Sequence, residues 1–468
     1  MHVLTTNNKK LNCRSVRWDI TNQCNLRCAH CFAVSTSNGI IESVRDLNFL
    51  EVIQVIRRLK SSGLQEINFA GREPTMHHDI LRIIRWCRDN NITINITTNG
   101  TFFNSSKYAE LIRLGVKMII FSLDGPTRKI HDQLRGEGNF EKTLQNIIDC
   151  NNLIDAYNYK TRLGISCTLH KLNVDVVPDM IDLATTLGIK FLSINPISFL
   201  GAAMPREKIF YLTPEEISDC FSDICSRYRH VKSNFELFLG TFPMESKFLN
   251  AKYDLDLPVI LTGCSAGKTM YIDHNGNALP CYMLPAMSSK IPRLKRYLNY
   301  WQILSEPEYT AVESFKPFIS FTQSYSQDGY KGCQVCPDLE VCKPCPLIAI
   351  SEPETIHRCQ QAGKKLSSVT PQIDDTVVPQ VKSYIKWIIE DSVLRIDITR
   401  GDYFCKKEFE LNNTAKSIWL LIDGRKSYNE IMELLQKEYP RFSERELHSD
   451  LKALLRYFYI EGVVTFNR

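Results

Sequence analysis

The 468-residue sequence has no uninterrupted apolar run approaching the ~18 residues that a membrane-spanning helix needs. Its opening residues, "MHVLTTNNKKLNCRS", hold no apolar stretch of the kind a secretory signal carries. A cytoplasmic protein with no membrane partner is therefore expected. A surplus of one charge sign is also missing. Lys and Arg number 57 against 52 Asp and Glu, a net +5, which does not by itself argue for a nucleic-acid partner. Hydrophobic content of 44% and charged content of 23% are ordinary for a soluble globular chain, and the length suits about three domains.

Cysteine is what the sequence has in excess: there are seventeen. Clustered cysteines in a reducing compartment bind metal more often than they pair as disulfides. Cys13, Cys87, Cys150, Cys167, Cys220, Cys225 and Cys405 are scattered and read as small packing thiols. The other ten fall into two groups. The first is "TNQCNLRCAHCF" (21–32), with Cys24, Cys28 and Cys31 at spacing C-x3-C-x2-C. Structural zinc sites and fully protein-held iron–sulfur clusters take four ligands. Either a fourth ligand lies elsewhere, or one metal position is kept open.

Between residue 16 and about 200, strand-like runs alternate with amphipathic helical patterns. The strand candidates are 16–20, 66–71, 92–100, 118–125, 162–170 and 191–197, and 47–63 and 139–154 are helical. Six β-then-α units predict an α/β fold: a parallel sheet curved into a partial (β/α)6 TIM-like barrel. Functional residues of such a barrel sit at the carboxyl ends of the strands. The cysteine segment, "GREP" (71–74), "TTNG" (97–100) and "SLDG" (122–125) all fall there.

This stretch resembles the radical SAM superfamily. In that family a CxxxCxxC loop after the first strand holds a 4Fe–4S cluster by three cysteines, and S-adenosylmethionine chelates the fourth iron. The resemblance implies that Cys24, Cys28 and Cys31 are the cluster ligands. Gly71 and Glu73 match the family's G-G-E-P motif, whose backbone and carboxylate receive the cofactor's amino group, with Arg72 replacing the usual second glycine. Ser122 and Asp124 stand where the strand-four motif approaches the ribose and methionyl groups. Arg135 resembles an arginine that pairs with the cofactor carboxylate, and Asn99 is a further cofactor candidate. A flavodoxin- or ferredoxin-type reductant is the implied electron donor.

The second cysteine group comprises Cys264, Cys281, Cys333, Cys336, Cys342, Cys345 and Cys359. Its paired CxxC units also suit a zinc ribbon. Following such a barrel, the spacing resembles the SPASM extension, which carries two auxiliary 4Fe–4S clusters and would bring the total to three. The resemblance gives Cys264, Cys281 and Cys345 to the cluster nearer the active site. It gives Cys333, Cys336, Cys342 and Cys359 to the distal one. Two closed clusters need eight ligands and this segment supplies seven, so the nearer one recruits another residue or keeps an open iron. Cys225 is a residue to test as the missing ligand.

"QAGKKLSSVTPQIDDTVVPQ" (361–380) is polar with two prolines and reads as a linker. Beyond it, 393–399 alternates like a strand and three helices follow, two of them opened by capping boxes at Ser427–Glu430 and Ser443–Glu446. A winged helix-turn-helix-like fold is expected. Residues 406–468 hold 11 basic and 10 acidic residues, and a duplex reader should show a basic face. The segment instead resembles PqqD-like domains, which bind the leader of a precursor peptide as an added strand.

The expected organisation is a barrel (1–212), a bridging and SPASM region (213–360), the linker (361–380) and a peptide-recognition domain (381–468). The expected activity is radical modification of a ribosomal precursor peptide, forming a C–S or C–C crosslink. A formylglycine-type sulfatase maturase and a peptide epimerase are the enzymatic alternatives. Tyr282 stands where the sulfatase maturases carry an acid directly after the second SPASM cysteine, which weighs against the first. An iron–sulfur DNA-binding regulator is the rival outside enzymes.

Overall fold

Val16 and Trp18 on the first strand, Ile67 and Phe69 on the second, and Ile94 and Ile96 on the third are all buried. The residues between them face the other side of the sheet, as the two-residue period requires. Parallel strands covered by helices on both faces read as continuous apolar runs. The alternation here leaves one face of the sheet polar and free for other use.

The computed structural model describes residues 11, 13–32, 45–232, 234–259, 269–327, 333, 345–351, 356–369, 373–400 and 403–467. Two compact units emerge: Met1–Thr241 with Ile260–Arg358, and Phe242–Val259 with Cys359–Arg468.

The first unit is built on a ten-stranded sheet. Strands β1 (Ser15–Trp18), β2 (Glu66–Phe69), β3 (Thr93–Thr98), β4 (Met118–Ser122), β5 (Arg162–Leu169), β6 (Phe191–Pro196) and β7 (Glu236–Leu239) lie side by side in chain order, all parallel. On the far side of β1, β8 (Met270–Ile272) pairs parallel to it. Beyond that, β9 (Asn277–Leu279) and β10 (Trp301–Gln302) continue antiparallel. Helices α1 (Phe49–Ser61), α2 (Ile80–Asp89), α3 (Ser105–Arg113), α4 (Arg128–Arg135), α5 (Asn139–Tyr157) and α6 (Met180–Thr186) fill the crossovers, and α7 (Pro214–Tyr228) precedes β7. Helix α1 shows why: Asn48 and Glu51 form a reciprocal capping box, and Val52, Ile53, Val55, Ile56 and Leu59 make one buried stripe. The expected α/β partial barrel is borne out, and the six expected strands match β1–β6.

In the second unit, α10 (Asn413–Leu421), α11 (Tyr428–Glu438) and α12 (Glu444–Ile460) pack with a three-stranded sheet. That sheet runs in the order β12 (Ile385–Glu390), β13 (Val393–Arg400), β14 (Tyr403–Glu410). A two-stranded ribbon pairs β11 (Val378–Val381) with β15 (Val464–Asn467). Both expected capping boxes form, at Ser427–Glu430 and Ser443–Glu446. Trp419, Tyr428, Leu435, Leu451, Leu455 and Phe458 are fully enclosed in the core.

Two features differ from the sequence reading. Residues 361–369, read as linker, belong to helix α9 (Ile356–Val369), with Ala362 and Leu366 buried one turn apart; β11 then starts before the linker ends. Helix α8 (Pro243–Tyr253), read as part of the bridging region, joins the C-terminal unit. There Lys247 pairs with Glu461 at the end of α12, and Tyr459 donates to the Ala251 carbonyl at 3.3 Å.

Candidate active site

The loop after β1 has no regular backbone pairing, so its polar groups must be satisfied by neighbours. Thr21 Oγ1 and the Asn22 amide donate to Asp46, and the Gln23 carbonyl accepts from the Glu73 amide at 3.0 Å. Further on, the Ala29 amide donates to the Leu134 carbonyl, and the Ala202 amide to the Cys31 carbonyl, each at 2.9 Å. These bonds fix Cys24, Cys28 and Cys31 at the carboxyl rim of the sheet, beside the loops after β2, β3 and β6.

All three thiols line one cavity of about 380 Å³. Its floor is the polar face of the sheet. Ser122 on β4, Ser166 on β5 and Ser193 on β6 stand in register as a row of hydroxyls. Thr168 and Asn195 form the next row. Asn195 Nδ2 donates to Ser193 Oγ at 2.8 Å. Arg17, His30, Gly71, Arg72, Thr97, Thr98, Asn99, Arg135, Ser198 and Tyr282 add to the polar lining, and Phe32, Ile197, Leu200 and Met283 are among its apolar wall.

Two carboxylates lie behind this lining. Glu73 is fully buried and accepts from the Thr75 and Asn99 amides at 3.2 and 2.7 Å and from Thr98 Oγ1 at 2.8 Å. Burial pushes its carboxyl up, against the pull of those donors. Asp124 is equally buried. Its Oδ2 accepts from Arg135 Nε at 2.5 Å and lies 3.2 Å from His30 Nε2, and its Oδ1 accepts from the Thr168 amide at 2.9 Å. Burial opposes its charge, yet Arg135 and His30 hold the carboxyl well below the usual carboxylate range. Arg135 in turn reaches Cys28, with Nη1 3.9 Å from Sγ, and Asn99 Nδ2 stands 3.9 Å from Cys24 Sγ. Burial raises both thiols, that of Cys28 to about 11.

Comparison with known proteins decides what this rim is. Residues 18–184 match the model of the radical SAM superfamily, and residues 396–464 match that of coenzyme PQQ synthesis protein D. The chain carries a radical SAM domain and a PqqD domain. Among relatives, Fe-coproporphyrin III synthase of Methanosarcina barkeri is 32% identical over 36% of this chain and 40% of its own length. The AdoMet-dependent heme synthase of the same organism is 24% identical over 75% of this chain and 98% of its own. PqqA peptide cyclase of Rhodopseudomonas palustris is 20% identical over 57% of this chain and 67% of its own. The fold resembles that of Streptococcus suis SuiB bound to precursor peptide SuiA, with TM-score 0.56 and 18% identity over 73% of this chain and 74% of that one.

A radical SAM domain implies S-adenosylmethionine and a 4Fe–4S cluster. The donor set of the rim fits such a cluster. Cys24, Cys28 and Cys31 are free thiols close enough to feel one another's charge. No three His, Cys, Asp or Glu groups among the described residues converge on a single-ion position. Thiolates spread around one cavity suit a polynuclear cluster, in which each iron takes its own ligand.

Of the cofactor candidates in the radical SAM domain, Gly71, Asn99, Ser122 and Arg135 line the cavity. Glu73 and Asp124 lie fully buried behind the lining. Their oxygens are occupied by the donors that hold Asn99 and Arg135 in place. Gly71 fits its position: φ is +90°, and a Cβ there would fall 2.0 Å from the Asp19 carboxyl carbon. Sequence reasoning missed Arg17, Ser166, Thr168, Ser193 and Asn195. The signal was present as polar residues at every second position of strands that a parallel sheet would otherwise fill with aliphatics.

In the second cysteine group, Cys281 and Cys345 both act electrostatically on Tyr282 and pack against one apolar cluster with Phe32. Cys333 is half-buried in the same unit, and Cys359 lies on α9 in the other. Cys264, Cys336 and Cys342 lie outside the described residues. Cys225 is fully buried on α7.

Proposed function

We propose that this chain is a radical S-adenosylmethionine enzyme of the SPASM type that modifies a ribosomally made precursor peptide. The observation that carries this reading is one chain combining a rim cavity that gathers three thiols and Arg135 with a PqqD domain. Cys24, Cys28 and Cys31 hold the first cluster. The Gly71 backbone, Asn99, Ser122 and Arg135 receive the cofactor, with the Arg135 fork on its carboxylate. When bound, cluster and cofactor supply a 5′-deoxyadenosyl radical that takes a hydrogen atom from the substrate. The chain's part is to orient and to exclude water, for which Phe32, Ile197, Leu200 and Met283 supply apolar wall.

Downstream, Cys264, Cys281 and Cys345 hold a nearer auxiliary cluster, and Cys333, Cys336, Cys342 and Cys359 a distal one. The shared influence of Cys281 and Cys345 on Tyr282 supports the first grouping. The product is a C–S or C–C crosslink, formed in the cytoplasm with a flavodoxin or ferredoxin as reductant. Residues 381–468 bind the peptide's leader. Strands β12 and β14 each have one edge unpaired among the described residues, and an extended peptide adds to such an edge through its backbone. Tethering the leader raises the local concentration of the segment to be modified.

The test is anaerobic reconstitution with iron and sulfide, followed by S-adenosylmethionine, reductant and the short peptide encoded beside the gene. The expected products are 5′-deoxyadenosine and a peptide lighter by two hydrogen atoms, both lost in Cys28→Ala. Removing the leader should suppress peptide modification and leave deoxyadenosine formation. An unchanged peptide beside cleaved cofactor would overturn the peptide reading, and absence of deoxyadenosine would overturn the whole. A tetrapyrrole substrate is the second reading, favoured by the two Methanosarcina barkeri relatives. Substituting Fe-coproporphyrin III for the peptide in the same assay separates the two.

A further inference from the structure

The cavity carries a charge pattern that cofactor binding leaves unused. Arg17, Arg72 and Arg135 line it, and none of the described lining residues is Asp or Glu. Arg135 is paired with Asp124. Arg17 forms no ion pair among the described residues, although its charge acts on Asp19, and its Nε is buried without a hydrogen bond. Its guanidinium carbon lies 4.4 Å from the centroid of the Tyr282 ring and 5.7 Å from that of Phe32. The nearby acid Asp19 accepts from the Tyr271 hydroxyl at 3.1 Å, its other oxygen is buried and unpartnered, and the Gly71 backbone closes over it. Arg17 also borders a second cavity of about 250 Å³, shared with Tyr282 and Cys281.

We propose that Arg17 is the receptor for a substrate carboxylate, and that the peptide segment entering this cavity presents an Asp or Glu side chain. A buried guanidinium donor without an acceptor is costly, and a ligand that supplies one recovers that cost. Tyr282 and Phe32 flank the guanidinium, as aromatic faces do for cations. A fixed planar fork selects a carboxylate, which takes two parallel bonds, over a neutral amide. Position adds to this. Arg17 lies on the wall common to the thiol-lined cavity and the one bordered by Cys281, so a carboxylate held there would place its residue between the first cysteine group and Cys281. The inference rests on the reading of this cavity as the place where cofactor and peptide meet.

The test uses the reconstituted full-length enzyme and two probe peptides, acetyl-Gly-Glu-Gly-amide and acetyl-Gly-Gln-Gly-amide, titrated calorimetrically in the presence of S-adenosylmethionine. The wild type should bind the Glu peptide roughly ten- to a hundredfold more tightly, the scale of a charge-assisted hydrogen bond. In Arg17→Gln the two affinities should converge, and Arg17→Lys, which keeps charge and loses the fork, should retain part of the preference. Equal affinities in the wild type, no binding of either peptide, or a preference that survives Arg17→Gln would overturn the proposal. Tighter, Arg17-dependent binding of Fe-coproporphyrin III would overturn the peptide assignment. Titrating S-adenosylmethionine into the same wild-type sample separates the two ideas: failure to bind it counts against the proposed function, whereas the Glu–Gln comparison reads Arg17 alone.

Discussion

Asp124 accepts from the Arg135 guanidinium and the Thr168 amide and stands beside His30, so one buried carboxylate fixes two groups next to Cys28. Asp124→Asn keeps the shape and removes the charge, leaving Arg135 buried and unpaired. Breaking a buried pair from one side costs about 3–5 kcal/mol, so a marked fall in melting temperature is expected along with weaker S-adenosylmethionine binding. A variant that melts like the wild type would contradict the pairing. His131 and His170 sit around the same cluster. Burial lowers each from 6.5 to about 4. Unfolding frees both to take protons, so the unfolded chain binds more protons between those values and stability falls as pH drops through that window. Thermal midpoints measured from pH 6.5 to 4 should decline, and more shallowly in His170→Asn.

Elements with a strong period or cap were legible in the sequence. The Ser427 and Ser443 boxes predict the starts of α11 and α12, and Leu447, Leu451 and Leu455 face the core as their spacing requires. Leu451→Ala should cost about 2–5 kcal/mol by the cavity it leaves, and Ser443→Ala about 1 kcal/mol by loss of the cap. Denaturant titration of the two variants should preserve that order. Strands β7 to β10 escaped notice because two to four residues hold too few alternations to show a period. Helix α9 was hidden for another reason. Pro371 and Pro379 stand out in the composition of 361–380, while Ala362 and Leu366 are the only buried residues among those described in its helical portion. In the site, the cysteine spacing and Arg135 were legible because their residue types are chemically distinctive. The serine row was not, since its members meet only through the pairing of β4, β5 and β6.

At the scale of the whole chain, the C-terminal unit is assembled from two separated segments. Deleting 381–468 removes Glu461 and Lys382, the ion-pair partners of Lys247 and Asp256, and uncovers a helix whose residues from Pro243 to Lys247 are all buried. Such a truncation should express poorly or melt early. A deletion protein with wild-type solubility and melting behaviour would contradict this packing. Loss of peptide modification in that truncation would therefore not isolate leader binding, whereas shortening the peptide does.

Lys247 also bears on how such an enzyme could be re-engineered. A recogniser encoded as one continuous tail could be exchanged between enzymes by a single crossover in the gene. Here the graft would have to carry Phe242–Val259 as well as Cys359–Arg468. The intervening stretch from Ile260 to Arg358, with Cys281 and Cys345 in it, would stay behind. During synthesis, α8 leaves the ribosome well before α12 exists to receive it. Natural recombination that replaced only the tail would strand the buried Lys247, which favours inheritance of the two segments of this unit as one piece.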